Sequence, residues 1–109
     1  MASELEFYLF DNSYGELSEA GYRGLKPVSP YNEDYHIFQT TKEEDVMRAV
    51  RTGLNGAGIA VESTKGEAWA GQEEINVSYA GALAAADGHS VVKNAIKEIA
   101  FAKGRSVTF

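Results

Sequence analysis

Glu4-Leu5-Glu6-Phe7-Tyr8-Leu9-Phe10 decides the fold. Its residues alternate with a period of two, so that Leu5, Phe7 and Leu9 line one face and Glu4, Glu6, Tyr8 and Phe10 the other, as in a strand with one buried side. Glu4 and Glu6 are like charges on one face, and they repel unless water, a cation or an opposing charge lies between them. A second stretch, Glu67-Ala68-Trp69-Ala70-Gly71-Gln72-Glu73-Glu74-Ile75-Asn76, repeats this pairing of carboxylates with a strand built for burial.

Working outward, residues 72–79 predict a strand with Ile75 and Val77 inward and Glu74, Asn76 and Ser78 outward. Residues 59–63 predict another, with Ile59 and Val61 inward and Glu62 outward. Thr41-Lys42-Glu43-Glu44 has the spacing of a capping box and a solvated, acidic helix start. Val46, Met47, Val50 and Leu54 follow at helical spacing, with Gly53 weakening the last turn and Gly56 and Gly58 ending the helix. A second helix over residues 82–103 buries Val92, Ala95, Ile96, Ile99 and Ala102; Gly88 predicts fraying or a late start in its first half. Residues 105–109 close the chain as a strand. Residues 11–34, dense in Gly, Pro, Asn and Ser, predict a long loop, and residues 35–40 a short extra strand. The order is strand, helix, strand, strand, helix, strand. It predicts a single α+β domain over residues 1–109, a ferredoxin-like split βαβ (βαββαβ) sandwich with a long loop inserted after the first strand.

In that fold the first and third strands are central neighbours and the second flanks the third. Glu4 and Glu6 then face Glu74 across the helix-free side, with Glu62 on the same side and Glu67 in the adjoining turn. Such a group of hard oxygen donors suits magnesium or manganese rather than zinc or copper. An open, wet sheet face that simply carries solubilising charge fits the same spacing. Trp69 reads as a packing anchor under the turn, ahead of a ligand-pocket wall. His36 and His89 have no Ser, Cys or His partner at useful spacing and read as surface or helix residues.

Composition narrows the function classes. The chain has no cysteine, which excludes disulfide frameworks, zinc-thiolate sites and thiol nucleophiles and predicts a cytoplasmic setting. A net charge of −6 argues against nucleic-acid binding and for cations as partners. No apolar run is long enough to span a bilayer, so no membrane partner is expected. No phosphate-gripping glycine loop or nucleophile elbow is present.

The two acidic stretches resemble those of the glutamine synthetase family. Glu4-Leu5-Glu6-Phe7-Tyr8-Leu9-Phe10 is similar to the strand that opens its catalytic domain, and Glu67-x-x-x-Gly71-Gln72-x-Glu74 to its second metal-ligand motif. Gly21-Tyr22-Arg23-Gly24-Leu25-Lys26-Pro27 resembles the bacterial relatives, some of which use amines other than ammonia. The resemblance implies that Glu6, Glu67 and Glu74 hold the metal, Mg or Mn, on the glutamate side. It also implies that Glu4 binds a second metal bridging the ATP phosphates, and that Glu62 and Tyr79 lie beside the nucleotide. It further implies an ATP-dependent ligase that phosphorylates a γ-carboxylate and lets an amine displace the phosphate. Ser78 stands where the family commonly has arginine, Ala60 where it has proline, and Ala84-Ala85-Ala86 in a helix expected to be more polar. With Met1-Ala2-Ser3 resembling an added start, these departures predict an excised, engineered fragment with no complete catalytic set, inactive alone and self-associating through its open sheet face. The alternative is a non-catalytic ferredoxin-like interaction or dimerisation module.

Overall fold

A computed structural model describes residues 1–109. Four strands form one antiparallel sheet in the order β2-β3-β1-β4: β1 (Ser3–Phe10), β2 (Val61–Gly66), β3 (Gln72–Val77) and β4 (Ser106–Thr108). β1 pairs with β3 so that Glu4 faces Asn76, Glu6 faces Glu74 and Tyr8 faces Gln72. Residues directly opposite in an antiparallel pair share a face, so these three pairs form one row of side chains. Leu5–Ile75 and Phe7–Glu73 form the other.

That second row is covered by α3 (Glu44–Gly56) and α4 (Ala82–Ala102). Val46, Met47, Val50 and Leu54 of α3 pack with Val92, Ile96 and Ala100 of α4 against Phe7, Leu9, Ile75 and Val107. The helical spacing of these residues and the period of two in the strands thus meet in one core. Gly53 brings the helices close, since a Cβ there would already stand 3.4 Å from Ile99 Cδ1. α3 ends where Gly58 takes φ +81° and the Ile59 amide returns to the Leu54 carbonyl at 2.9 Å, a left-handed exit that glycine adopts without strain.

Several expectations are corrected. The stretch expected to be a loop contains α1 (Tyr14–Glu19), because Ser13 and Glu16 cap each other reciprocally and Leu17 is buried. The extra strand expected over residues 35–40 is instead α2 (Ile37–Thr41), begun by the His36 side chain accepting from the Gln39 amide at 3.2 Å. Thr41 belongs to that helix, so its hydroxyl donates to the Ile37 carbonyl at 2.8 Å instead of capping the next one. α3 accordingly starts after Glu43, with no side-chain cap. Glu43 itself is buried, so this helix start is not the solvated one expected. β2 begins at Val61 and runs on to Gly66. α4 is continuous through Gly88, and Ala100 fills the core place expected of Ala102, which is exposed.

Candidate metal centre

Glu6, Glu67 and Glu74 come together on the sheet face turned away from α3 and α4. One carboxylate oxygen from each lies within 4.8 Å of the other two. Glu6 and Glu74 are direct cross-strand partners, and Glu67 follows β2 at once, in the turn that leads to β3. That turn is closed by the Glu67 amide donating to the Gln72 carbonyl at 2.7 Å, which holds Glu67 over the strand pair. Glu6 is exposed, Glu67 partly buried and Glu74 buried.

Each carboxylate is oriented by a neighbour. Gln72 Nε2 donates to Glu6 Oε2, and Asn76 Nδ2 donates to Glu74 Oε1 at 2.7 Å. Lys65, paired in register with Glu74, reaches Glu67 Oε1 at 2.6 Å and Asp34 Oδ1 at 2.8 Å. These hydrogen bonds, Asp34 first and then Glu67, hold the Lys65 ammonium well above the usual lysine range. Glu6 Oε1 and Glu74 Oε2 accept no hydrogen bond from the protein. An all-oxygen set of carboxylates with free lone pairs fits magnesium or manganese and not a soft, thiolate-seeking ion.

The other candidates stand apart. Glu4 faces Asn76 along the same row, one pleat from Glu6, and is exposed and outside the three-carboxylate group. Glu62 is the extra residue of a β-bulge, because Val61 pairs with Val77 and Ser63 already pairs with Asn76. It is exposed and joins neither the group nor a cavity with Tyr79. Tyr79, 83% exposed, borders a cavity of about 260 Å³ between the end of β3 and the start of α4. Trp69 is 69% exposed, so it is not the packing anchor expected. His36 is the exposed cap of α2, but His89 does have a serine partner, with Nδ1 2.7 Å from Ser3 Oγ. Their separation of 86 positions hides that pairing from any reading of spacing.

Sequence reasoning missed a second acidic group. Glu33, Glu43 and Glu73 are all buried, again with one oxygen from each within 4.8 Å of the others. Burial pushes the Glu73 carboxyl up to about 9, with the charges of Glu33, Glu43 and Glu44 adding to it. Burial likewise pushes Glu43 up to about 7, followed by the charge of Glu33. Burial also raises Glu33, against the opposing hydrogen bond from the Gly71 amide. Only Glu73 left a trace in the sequence, since the alternation through Ile75 and Val77 puts it on the core face.

Residues 1–109 match the model of the glutamine synthetase catalytic domain. The chain belongs to the glutamine synthetase family. It is 44% identical over its full length to the gamma-glutamylethanolamide synthetase GlnA4 of Streptomyces coelicolor, and covers 24% of that protein. It is 41% identical over 108 residues, 99% of the chain, to a glutamate–isopropylamine ligase of a Pseudomonas species, again covering 24% of it. A solved structure described as a GmaS/ADP complex shares the fold, with a TM-score of 0.81 and 24% identity over 99% of this chain and 24% of that one. The chain thus spans about a quarter of the length of these relatives.

Proposed function

We propose that residues 1–109 carry the glutamate-side metal site of an ATP-dependent glutamate–amine ligase, with Glu6, Glu67 and Glu74 as ligands of Mg or Mn. One observation carries this reading: in a chain of this family, three carboxylates from two separate stretches lie within 4.8 Å of one another on an open sheet face. Glu4, one pleat further along β1, is the ligand offered to a second metal, and Glu62 and Tyr79 face the ATP side. Glu6, Glu67 and Glu74 would hold a divalent cation that would neutralise charge developing in phosphoryl transfer to a γ-carboxylate. The protein's own part is positional. Gln72 and Asn76 fix Glu6 and Glu74 by hydrogen bonds, and the Glu67 amide bond to the Gln72 carbonyl holds Glu67 over the strand pair.

One relative is named for a gamma-glutamylethanolamide product and another for isopropylamine as the amine joined to glutamate, so the parent activity is read as ligation of an amine larger than ammonia. Because the chain spans about a quarter of these relatives, turnover by these 109 residues alone is not expected. The strand order β2-β3-β1-β4, with α3 and α4 on one face, supports the ferredoxin-like split βαβ reading and one domain over residues 1–109. Self-association through the open face, as a dimerisation module, has less support, because that face presents Glu4, Glu6, Gln72, Asn76 and Lys65.

The test combines binding and turnover. Millimolar manganese raises the melting temperature of the wild-type chain, since an ion that binds only the folded state stabilises it. Glu74→Gln removes that rise, and no phosphate is released from ATP with glutamate and an amine. A melting temperature indifferent to manganese would sink the metal reading, and turnover above background would sink the inactivity. Light scattering that stays monomeric at high concentration discards association.

A further inference from the structure

The buried group on the other side of the sheet has no role in the ligase reading. Glu73 points into the core row, opposite Phe7 on β1 and Gly66 on β2. Glu33 comes from the segment between α1 and α2, and Glu43 from the residue just before α3. Their exposures are 0%, 2% and 1% for Glu33, Glu43 and Glu73. None of the three takes part in an ion pair. Glu33 Oε1 accepts from the Gly71 amide at 3.0 Å and Glu43 Oε1 from Gln39 Nε2 at 3.4 Å. One oxygen of each residue, Glu33 Oε2, Glu43 Oε2 and Glu73 Oε1, is buried with no hydrogen-bond partner.

Native proteins leave few buried polar atoms unpaired, and buried carboxylates fewer still. Three at one point call for a common partner, and a single cation meets all three at once. The surrounding chain is shaped around the group. Gly66 admits Glu33, because a Cβ at that position would stand 2.5 Å from Thr40 Cγ2 and 3.0 Å from Glu33 Cβ. An open cavity of about 430 Å³ is bordered by Thr40, Met47, Gly66 and Glu73.

We infer that Glu33, Glu43 and Glu73 form a second, buried cation site that takes a hard divalent ion of calcium's size. The donors are all carboxylate oxygen, which excludes the softer transition metals as the preferred occupant. Magnesium keeps several of its waters and binds at about 2.1 Å, whereas calcium binds at about 2.4 Å and accepts bidentate carboxylates in irregular geometry. Burial of all three residues leaves little room for the waters that magnesium keeps, which favours the larger ion. The bound ion ties the α1–α2 segment, the start of α3 and β3 together, a structural role separate from the open-face site.

The experiment uses the whole chain after dialysis against EDTA, followed by melting curves and calorimetric titration with calcium chloride. Calcium is expected to bind and to raise the melting temperature of the wild type and of Glu74→Gln alike. In Glu43→Gln the calcium response disappears while the calcium-free melting temperature stays equal to or above the wild type, because a buried charge has been removed. Glu33→Gln, which keeps an acceptor for the Gly71 amide, serves as the second variant and loses the response in the same way. Absence of calcium binding by the wild type overturns the inference. So does an unchanged response in both Glu43→Gln and Glu33→Gln, or a response lost in Glu74→Gln alone. Manganese stabilisation that survives in Glu43→Gln keeps the outcome for the open-face site distinct from this one.

Discussion

Gly71 sits at φ +71°, and a Cβ there would stand 2.8 Å from the Leu9 carbonyl oxygen and 3.0 Å from Pro27 Cβ. Its carbonyl accepts from the Leu9 amide at 2.8 Å, and its amide donates to Glu33. One residue therefore joins β1 to the buried acidic group, in a backbone conformation that only glycine takes without strain. Gly71→Ala is expected to destabilise the fold by about 2 kcal/mol or more, measured by urea unfolding; an unchanged midpoint contradicts the geometry. Lys65 tests the open-face site from the other direction. Its ammonium neutralises Glu67 at 2.6 Å and repels any incoming cation. Lys65→Gln should therefore tighten manganese binding several-fold in calorimetry, whereas weaker binding would show that Lys65 helps to build the site. Glu6 and Glu74 were legible as neighbours because the period-two patterns of two strands bring them onto one face. Glu33 and Glu43 were not, because their meeting depends on the path of a segment without periodicity, and a glutamate beside a helix start reads as solvated until its burial is seen.

At the scale of elements, the sequence is clear wherever one face is buried. β1, β3, α3 and α4 each carry an apolar row at a single period, and each lies within a few residues of its expected bounds. α1 and α2 escaped because they are short, six and five residues, and rest on local capping by Ser13 and His36 rather than on an apolar stripe. Ser13-x-x-Glu16 is a capping-box pattern set among turn-forming residues, which masked it. Gly88 led to the opposite error. Its flexibility predicted fraying, yet α4 runs through it, supported downstream by Val92, Ile96 and Ala100. Nothing lies within 4 Å of where its Cβ would stand. Gly88→Ala is thus expected to stabilise the protein by about 0.5–1 kcal/mol, read as a higher denaturation midpoint; destabilisation would mean that α4 needs its freedom there.

Across the whole molecule, the buried carboxylates set the pH response of the cation-free protein. Their folded pKa values, about 7 for Glu43 and about 9 for Glu73, lie above the ordinary value of 4.5. The folded chain then binds more protons than the unfolded one between those limits, so stability falls as pH rises. The contribution is whole below the unfolded pKa and is lost as pH climbs through about 7 and then about 9. Glu44, held low by its hydrogen bond to Arg51, acts oppositely and loses its contribution on acidification. Melting temperatures in EDTA should therefore fall between about pH 6 and pH 9, with a shallower slope in Glu43→Gln; a rise over that range contradicts the account. The four-stranded sheet and the shared core were readable from the order of elements and their apolar periods. The second acidic centre was not, because burial is a property of the assembled chain.

The central claim is that Glu6, Glu67 and Glu74 hold one divalent cation between them. Crystals soaked in manganese and measured for anomalous scattering test it most directly. The account predicts an anomalous peak within bonding distance of all three carboxylates, with the Lys65 ammonium displaced from Glu67. A peak elsewhere, or no peak at saturating manganese, contradicts it.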